Sequence, residues 1–112
     1  MHAFEVLGDP VRRRIVELLA EHERAAGDVV DAVRSEFGIT QPAVSRHLRI
    51  LRESGFAVVR AEGTRRLYAL DPAGLDAADA VLQHYRRFWT QRLDALRTEV
   101  ARGARTGKER ST

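Results

Sequence analysis

Hydrophobic residues recur at helical spacing along the first third of the chain. Two groups of apolar residues, three or four positions apart, predict two amphipathic helices, because this spacing places them on one helix face. Each group follows an aspartate that can cap a helix, and the second stops at a glycine. The residues are Val11, Ile15, Leu18 and Leu19 after Asp9, and Val29, Val30, Val33 and Phe37 between Asp28 and Gly38. A short apolar stretch around Phe4 predicts a further helix before them.

The next predicted helix follows after only two residues, Gly38 and Ile39. Thr40 is its expected N-cap, and Pro42 is tolerated because the first turn of a helix needs no intrahelical N–H donor there. Gly55 is expected to end it. Two helices joined so tightly must turn sharply, as in a helix-turn-helix. One side of this helix is apolar (Val44, Leu48, Leu51) and the other is polar and basic (Gln41, Ser45, Arg46, Arg49, Arg52).

Beyond Gly55 the pattern changes to that of two strands joined by a tight turn. Residues 57–61 and 65–70 are rich in β-branched and aromatic residues, and residues 62–64 between them predict a hairpin loop. The hairpin carries arginines and follows the helix with the basic side. We therefore interpret it as a wing.

A long terminal helix is predicted from Asp71 and Pro72 onward. Its apolar stripe is more than one small core can cover, so we expect a second copy of the chain to cover it. The stripe consists of Leu75, Ala78, Leu82, Tyr85, Trp89, Leu93, Leu96 and Val100, with Phe88 beside it. The alternative use of its aromatic residues is to line a small-molecule pocket.

Together these elements predict a mainly α (α+β) fold, a winged helix-turn-helix with a two-stranded β-hairpin wing and a long C-terminal dimerisation helix. We expect one domain at this length, over residues 1–102. Residues 103–112 are small, charged and aperiodic, and they predict a basic disordered tail.

Charge is distributed unevenly along a chain whose net charge is only +3. Residues 40–66 contain six arginines and two acids, a balance of +4, whereas residues 1–39 contain five arginines and eight acids. Residues 67–101 are also slightly acidic, with four arginines and five acids. One basic segment inside an acidic folded region is typical of a surface that binds a polyanion, and double-stranded DNA is the expected partner.

The polar side of the fourth helix carries side chains suited to reading DNA. Arg46 and Arg49 have the planar fork that binds guanine edges or phosphates, and Gln41 can form two hydrogen bonds with adenine. Ser45 is short enough for a phosphate or a close base contact. Of the two arginines after the hairpin turn we expect one to face the duplex, because neighbouring strand residues point in opposite directions. The predicted DNA-binding residues are Thr40, Gln41, Ser45, Arg46, Arg49, Arg65 and Arg66.

Missing residue types and motifs narrow the chemistry further. The chain has no cysteine, which excludes disulfides, thiolate metal sites and thiol redox sensing. It has no glycine-rich phosphate loop, no nucleophile motif and no carboxylate pair beside a histidine, so neither an enzyme nor a cofactor is expected. No stretch is apolar enough to span a bilayer, and we expect a soluble, cytoplasmic protein. His47 lies between the two helix sides and is interpreted as a packing or capping residue.

Three motifs occur in order along the chain: Asp9-Pro10-x-Arg12-x2-Ile15; Gln41-Pro42-Ala43-Val44-Ser45-Arg46-His47-Leu48 with Leu51-x3-Gly55; and Phe88-Trp89-x2-Arg92-Leu93-x2-Leu96. With the order of elements, they resemble the cysteine-free branch of the ArsR/SmtB family of bacterial winged-helix repressors over about residues 3–100. The resemblance implies a homodimer paired through the first and last helices, which represses transcription from a palindromic operator. The implied dimer interface consists of Phe4, Leu82, Tyr85, Phe88, Trp89, Leu93 and Leu96.

The chain departs from that family in the residues that bind metals. Many members sense metals through cysteine pairs on the helix before the recognition helix, and the matching segment here, residues 29–33, has none. A second family site uses Asp and His pairs on the terminal helix, where this chain has His84 alone, with Asp76 and Asp79 at other spacings. No metal site is predicted, and no inducer is carried over from the family.

A second interpretation is a winged-helix module that binds a protein partner with the same basic surface. DNA binding weakens steeply with salt because counterions are released from the duplex. Salt dependence of DNA binding therefore separates the two interpretations.

Overall fold

The element order agrees with the predicted one, with one additional short strand. The computed structural model describes the backbone of residues 1–110 and the side chains of residues 1–103. The elements are α1 (Ala3–Leu7), α2 (Pro10–Glu21), β1 (Arg24–Ala25), α3 (Ala26–Phe37), α4 (Gln41–Glu53), β2 (Ala57–Glu62), β3 (Arg65–Leu70) and α5 (Pro72–Arg110). The chain divides into two units, residues 1–78 and residues 79–112. The side chains of the predicted tail, from residue 104 onward, lie outside the described residues, so its disorder stays a prediction.

The N-caps predicted for α2 and α4 are formed by side chains. The Asp9 carboxylate accepts hydrogen bonds from the backbone amides of Val11 (2.8 Å) and Arg12 (3.2 Å), as expected for the N-cap of α2. The Thr40 hydroxyl accepts one from the amide of Ala43 (3.3 Å), as expected for α4. The prediction that Asp28 caps α3 is wrong. This helix begins earlier, at Ala26.

The hairpin is part of a three-stranded antiparallel sheet with the order β1-β3-β2. Arg24 and Ala25 of β1 pair with Tyr68 and Leu67 of β3, which fixes the chain directly before α3 and explains its early start. Pairing of Glu62 with Arg65 leaves a two-residue loop, residues 63–64, between β2 and β3. Gly63 adopts a φ of 61°, the left-handed conformation that such a loop requires at its first position.

The core of the first unit is formed by the apolar helix sides that the periodicity identifies. Phe56, the third residue after the end of α4, is completely buried among them. Phe37 is the exception to the predicted pattern, because its side chain at the end of α3 is 37% exposed. The fully buried residues are Val6, Ile15, Val29, Val33, Val44, Leu51 and Phe56.

Two arginines of α2 hold the end of α1. Arg12 donates from Nε to the carbonyl oxygen of Val6 (2.8 Å) and from Nη2 to that of Glu5 (3.0 Å). Arg13 donates from Nη1 to the carbonyl of Leu7 (2.8 Å). The last carbonyls of a helix have no partner within it, and in so short a helix they are a large share of the backbone acceptors. These hydrogen bonds therefore hold α1 against α2, and they occupy the guanidinium groups of both arginines.

A close backbone contact joins the end of α4 to the start of α5, at the base of the hairpin. The amide of Gly74 donates to the carbonyl of Gly55 (2.7 Å), and the amide of Asp71 donates to that of Phe56 (2.9 Å). A Cβ at position 74 would lie 2.6 Å from Cγ of the buried Phe56 ring. Gly55 itself has a φ of 80°, which ends α4 and turns the chain into the sheet.

In the second unit, the described part of α5 exposes its large apolar residues. Phe88 and Trp89 contact each other edge to face, with ring centroids 5.7 Å apart, and the Arg92 guanidinium carbon lies 5.9 Å from the Phe88 centroid. The exposed apolar residues are Leu82, Tyr85, Phe88, Trp89, Leu93, Leu96 and Val100. None of the described helices has the length and apolar character needed to span a membrane.

We expect Gly74→Ala to destabilise the protein by about 1–3 kcal/mol, because the added methyl group must displace the buried Phe56 ring or the Gly55 carbonyl. Gly27→Ala is the matched control, since a Cβ at this helical position meets nothing within 4 Å. Alanine there should stabilise the helix by up to about 1 kcal/mol. Chemical denaturation of both variants measures the two free energies of unfolding. A Gly74→Ala protein as stable as the wild type would contradict the described packing of α5 on Phe56.

Candidate nucleic-acid interface

A concave surface with a volume of about 680 Å³ lies between α3, α4 and β3, within the first unit. Five arginines line it, together with one acidic residue. The arginines are Arg34, Arg46, Arg49, Arg52 and Arg66, and the acid is Asp31.

The exposed side of α4 is positioned by the burial of its other side. Val44, Leu48 and Leu51 face the core at 0%, 3% and 0% exposure, and this fixes the rotation of the helix about its axis. Residues spaced three or four positions apart on the opposite side then point together into the concavity. They are Gln41, Ser45, Arg46, Arg49 and Arg52, so four of the predicted DNA-binding residues are neighbours in space.

The hairpin contributes Arg66 to the same surface. Arg66 pairs with Ala61 across the sheet and lies on the same side of β3 as Tyr68, which also lines the concavity. Arg65 lies on the opposite side of the strand and lines a smaller neighbouring depression with Thr64. Arg66 is thus the arginine of this pair that the fold places beside α4.

Thr40 does not line the concavity. Its hydroxyl accepts the capping hydrogen bond at the start of α4, one residue before Gln41. Because Thr40 directly precedes Gln41, which lines the concavity, it lies near the edge of this surface. A contact between Thr40 and DNA stays a prediction.

The arginines of the first unit fall into two groups. Those that line the concavity, and Arg65 beside it, have no hydrogen-bond or ion-pair partner within the described part of the chain. The others are all engaged in hydrogen bonds or ion pairs. The engaged group consists of Arg12, Arg13, Arg14, Arg24 and Arg60. The unpaired cations are therefore concentrated on one surface.

Arg60 shows that the linear charge count overstates the basic segment. Its guanidinium donates to both carboxylate oxygens of Glu23 (2.9 and 2.6 Å) and lies 3.3 Å from Glu62. Hydrogen bonding to Arg60 lowers the pKa of Glu23, and the same contact raises the pKa of Arg60. The charge of Arg60 is therefore neutralised by the neighbouring carboxylates of Glu23 and Glu62.

Two residues of the concavity were missed by the sequence analysis. Arg34 and Asp31 belong to α3, inside the segment whose overall balance is acidic. They lie one helical turn apart on the exposed side of α3, and the neighbouring Val30 also lines the concavity. Their spacing of three residues indicates that they share one side of α3. A charge count over the whole segment does not show this, because the segment is acidic overall.

His47 lies at the contact between α4 and the start of α2, as a packing residue. Its Nδ1 is 3.3 Å from Nη1 of Arg12, and the ring is half-buried. Burial lowers the pKa of His47, and the cations Arg12 and Arg46 lower it further against the opposing effect of Asp9. The pKa of Asp9 is lowered as well, because hydrogen bonds from backbone amides at Arg12 and Val11 outweigh the effect of burial.

A lowered pKa of His47 makes folding sensitive to mild acid. Below the ordinary value of 6.5, the unfolded chain binds a proton on His47 that the folded chain binds only at lower pH. Above pH 6.5 neither state binds this proton, so His47 does not affect stability there. As the pH drops from the unfolded-state pKa of His47 to its lower folded-state pKa, the protonated unfolded chain is favoured and the free energy of unfolding falls. We expect the free energy of unfolding to decrease between pH 7.5 and 5.5, and to decrease less in His47→Gln. Denaturation curves of both proteins across this range measure the difference, and parallel losses of stability would contradict it.

No group of three or more His, Asp or Glu residues within the described residues is arranged to hold a metal ion. The segment of α3 that corresponds to the family's cysteine site presents Val29, Val30 and Val33 to the core instead. Aliphatic side chains have no donor atom for a metal. The described arrangement therefore fits a packed core at this position.

The chain is similar in sequence to known bacterial regulatory proteins. Residues 9–58 match the model of the family described as "Bacterial regulatory protein, arsR family". The chain is 41% identical to the HTH-type transcriptional regulator Rv2034 of Mycobacterium tuberculosis over 91 residues, 81% of this chain and 78% of that protein. It is 31% identical to the transcriptional repressor SdpR of Bacillus subtilis over 70 residues, 62% of this chain and 73% of that protein.

A solved structure shares the fold. The homodimeric winged helix-turn-helix DNA-binding domain Mb0332 from Mycobacterium bovis, a possible ArsR-family transcriptional regulator, is 31% identical and superimposes with a TM-score of 0.55. The match covers 76% of this chain and 75% of that one. It confirms the predicted fold, a winged helix-turn-helix.

Proposed function

Because the chain belongs to the arsR family of bacterial regulatory proteins, we propose that it represses transcription as a homodimer bound to a palindromic operator. It is a transcription regulator and not an enzyme. The proposed site of action is the chromosome, in the cytoplasm. The two proposed surfaces are the concave surface of the first unit, for DNA, and the apolar stripe of α5, for the second copy.

The unpaired arginines of the concave surface are the main support for the proposal that this surface binds DNA. Arg46 and Arg49 project from the exposed side of α4, and Arg66 projects from β3 toward the same space. An α-helix fits the major groove, and a hairpin beside it reaches the adjacent backbone or minor groove. Arginines left without protein partners are available for phosphates and guanine edges.

Symmetry supports a palindromic operator. A dimer with a two-fold axis presents two copies of α4 in opposite orientations, so the two half-sites must be inverted repeats. The two recognition helices are then expected in successive major grooves, about one helical turn of DNA apart. The Mb0332 domain, to which this chain is similar, is homodimeric.

We expect Arg46→Ala and Arg49→Ala each to weaken binding to a duplex selected from a random pool by the wild-type protein. A lost base contact costs about 1–3 kcal/mol and relaxes the preference at that base pair. A lost phosphate contact instead weakens all duplexes equally and reduces the salt slope by about one. Anisotropy titrations at several salt concentrations distinguish these results.

Arg60→Gln is the matched control for these variants. It removes a positive charge from the same basic segment, but this arginine is held by Glu23 and Glu62. Its affinity for DNA should stay close to that of the wild type. Full affinity in both the Arg46 and Arg49 variants would refute the assignment of the surface. Wild-type binding that does not change with salt would favour the protein-binding module instead.

The dimer proposal depends on the apolar stripe of α5. Trp89 is 57% exposed and Leu96 is 52% exposed, although both are large and apolar. Contiguous exposed apolar side chains mark a surface that another molecule covers. The spacing of the stripe continues over several helical turns, and a second copy of the same helix has a matching stripe.

We expect Trp89→Ala to raise the dimer dissociation constant at least about tenfold, because a central aromatic residue of an interface contributes more than 1 kcal/mol. Gln91→Ala is the control, since residue 91 lies on the other side of the helix from residue 89. Sedimentation across a range of protein concentrations measures both constants. A Trp89→Ala protein that dimerises like the wild type would contradict the proposed interface.

A further inference from the structure

The exposed side of α3 carries two opposite charges into the concave surface. Gly27, Asp31 and Arg34 are spaced four and three residues apart, so they lie along one side of the helix. All three line the concavity. Asp31 and Arg34 also line a smaller depression next to it, which ends at Gly38 and Ile39. The α3 side of the surface thus differs from the α4 side, whose charged members are all arginines.

Asp31 is the single acid among the residues that line the concavity. Its carboxylate is exposed and forms no hydrogen bond or ion pair within the described part of the chain, although Arg34 lies one turn away. Among the described residues, Glu23 and Glu36 each bind an arginine and Glu53 binds none, but Asp31 is the unpaired acid that lines the concavity. The charge of Asp31 is therefore directed at whatever enters the concavity.

An unpaired carboxylate on a DNA-binding surface acts differently on different binding modes. A phosphate placed near it is repelled, and solvent-exposed charges act over about one Debye length, which is close to 10 Å at 0.1 M salt. Non-specific binding consists almost entirely of phosphate contacts and samples many positions of the backbone. Specific binding has one position, held by base contacts, which can keep the phosphates clear of the acid. Repulsion of this kind weakens non-specific binding more than specific binding, so it increases the difference between these two affinities.

We propose that Asp31 is a specificity-determining residue, which keeps phosphate groups away from its own position on the α3 side of the concave surface and so penalises non-specific DNA binding. The proposal rests on the proposed function, since it assumes that the concavity is the DNA-binding surface. Arg34 supplies attraction one turn away. A backbone strand is therefore attracted near Arg34 and repelled near Asp31. The pair limits the positions that the strand can take along α3.

Asp31→Asn tests this assignment, because it removes the charge and keeps the size and polarity of the side chain. The variant and the wild type are titrated with a random-sequence duplex and with a duplex selected by the wild type, each at several salt concentrations. We expect the affinity of the variant for random duplex to rise about three- to tenfold, with a salt slope steeper by about one, as for one additional phosphate contact. Its affinity for the selected duplex should rise less, so the ratio of the two affinities falls.

Glu53→Gln is the matched control. Glu53 is an exposed acid at the end of α4, and its removal changes the net charge by the same amount, but it does not line the concavity. The ratio of affinities should then stay at the wild-type value. An equal loss of the ratio in both variants would reduce the effect to net charge and overturn the proposal.

Two further results with Asp31→Asn would overturn the proposal. If Asp31→Asn weakens the selected duplex and leaves the random duplex unchanged, the carboxylate contacts a base, as an acceptor for a cytosine amino group would, and repulsion is wrong. An unchanged ratio in Asp31→Asn likewise overturns the proposal. If the wild-type protein selects no duplex from a random pool, the proposed function itself is refuted, which is a separate result.

Discussion

The burial of one side of α4 is the constraint on which the rest of the surface depends. Val44, Leu48 and Leu51 are almost completely removed from solvent, and their spacing allows only one rotation of the helix about its axis. Each buried aliphatic side chain stabilises the fold by about 1.5–3 kcal/mol relative to exposure, so another rotation is strongly disfavoured. The arginines between these positions then have to face outward. The energy that orients these outward-facing side chains comes from the core and needs no contact by the arginines themselves.

Both ends of α4 are fixed to neighbouring elements, and this determines where the hairpin lies. The Thr40 hydroxyl caps the first turn. At the other end, Gly55 leaves the helix in a left-handed conformation, and its carbonyl accepts the amide of Gly74. Because β2 begins directly after the buried Phe56, the sheet has little freedom relative to the helix. Arg66 therefore reaches the same concavity as the α4 arginines, although it is distant from them in sequence.

Local patterns in the sequence predict the helices, two caps and the hairpin, because these depend on residues close together in the chain. The short strand β1 has only two residues, too few for any periodicity, and it forms because β3 offers a free edge. The earlier start of α3 follows from that pairing. The neutralisation of Arg60 requires Glu23, which is far away in sequence. Arg34 and Asp31 join the surface only when α3 packs against α4, so a charge count by segment does not reveal them.

The pairing of arginines explains how a chain of modest net charge presents a strongly cationic surface. Arg12, Arg14 and Arg60 bind carbonyls or carboxylates and give the fold cross-links between elements. Such exposed pairs contribute little stability individually. Their larger effect comes from the carboxylates bound by Arg14 and Arg60, which cancel charge on parts of the first unit away from the concavity, so that a polyanion meets a local field and not an average one. Attraction alone would hold any phosphate backbone equally. Selection among duplexes requires repulsion at defined positions as well, and in our proposal the carboxylate of Asp31, the single acid that lines this surface, supplies it.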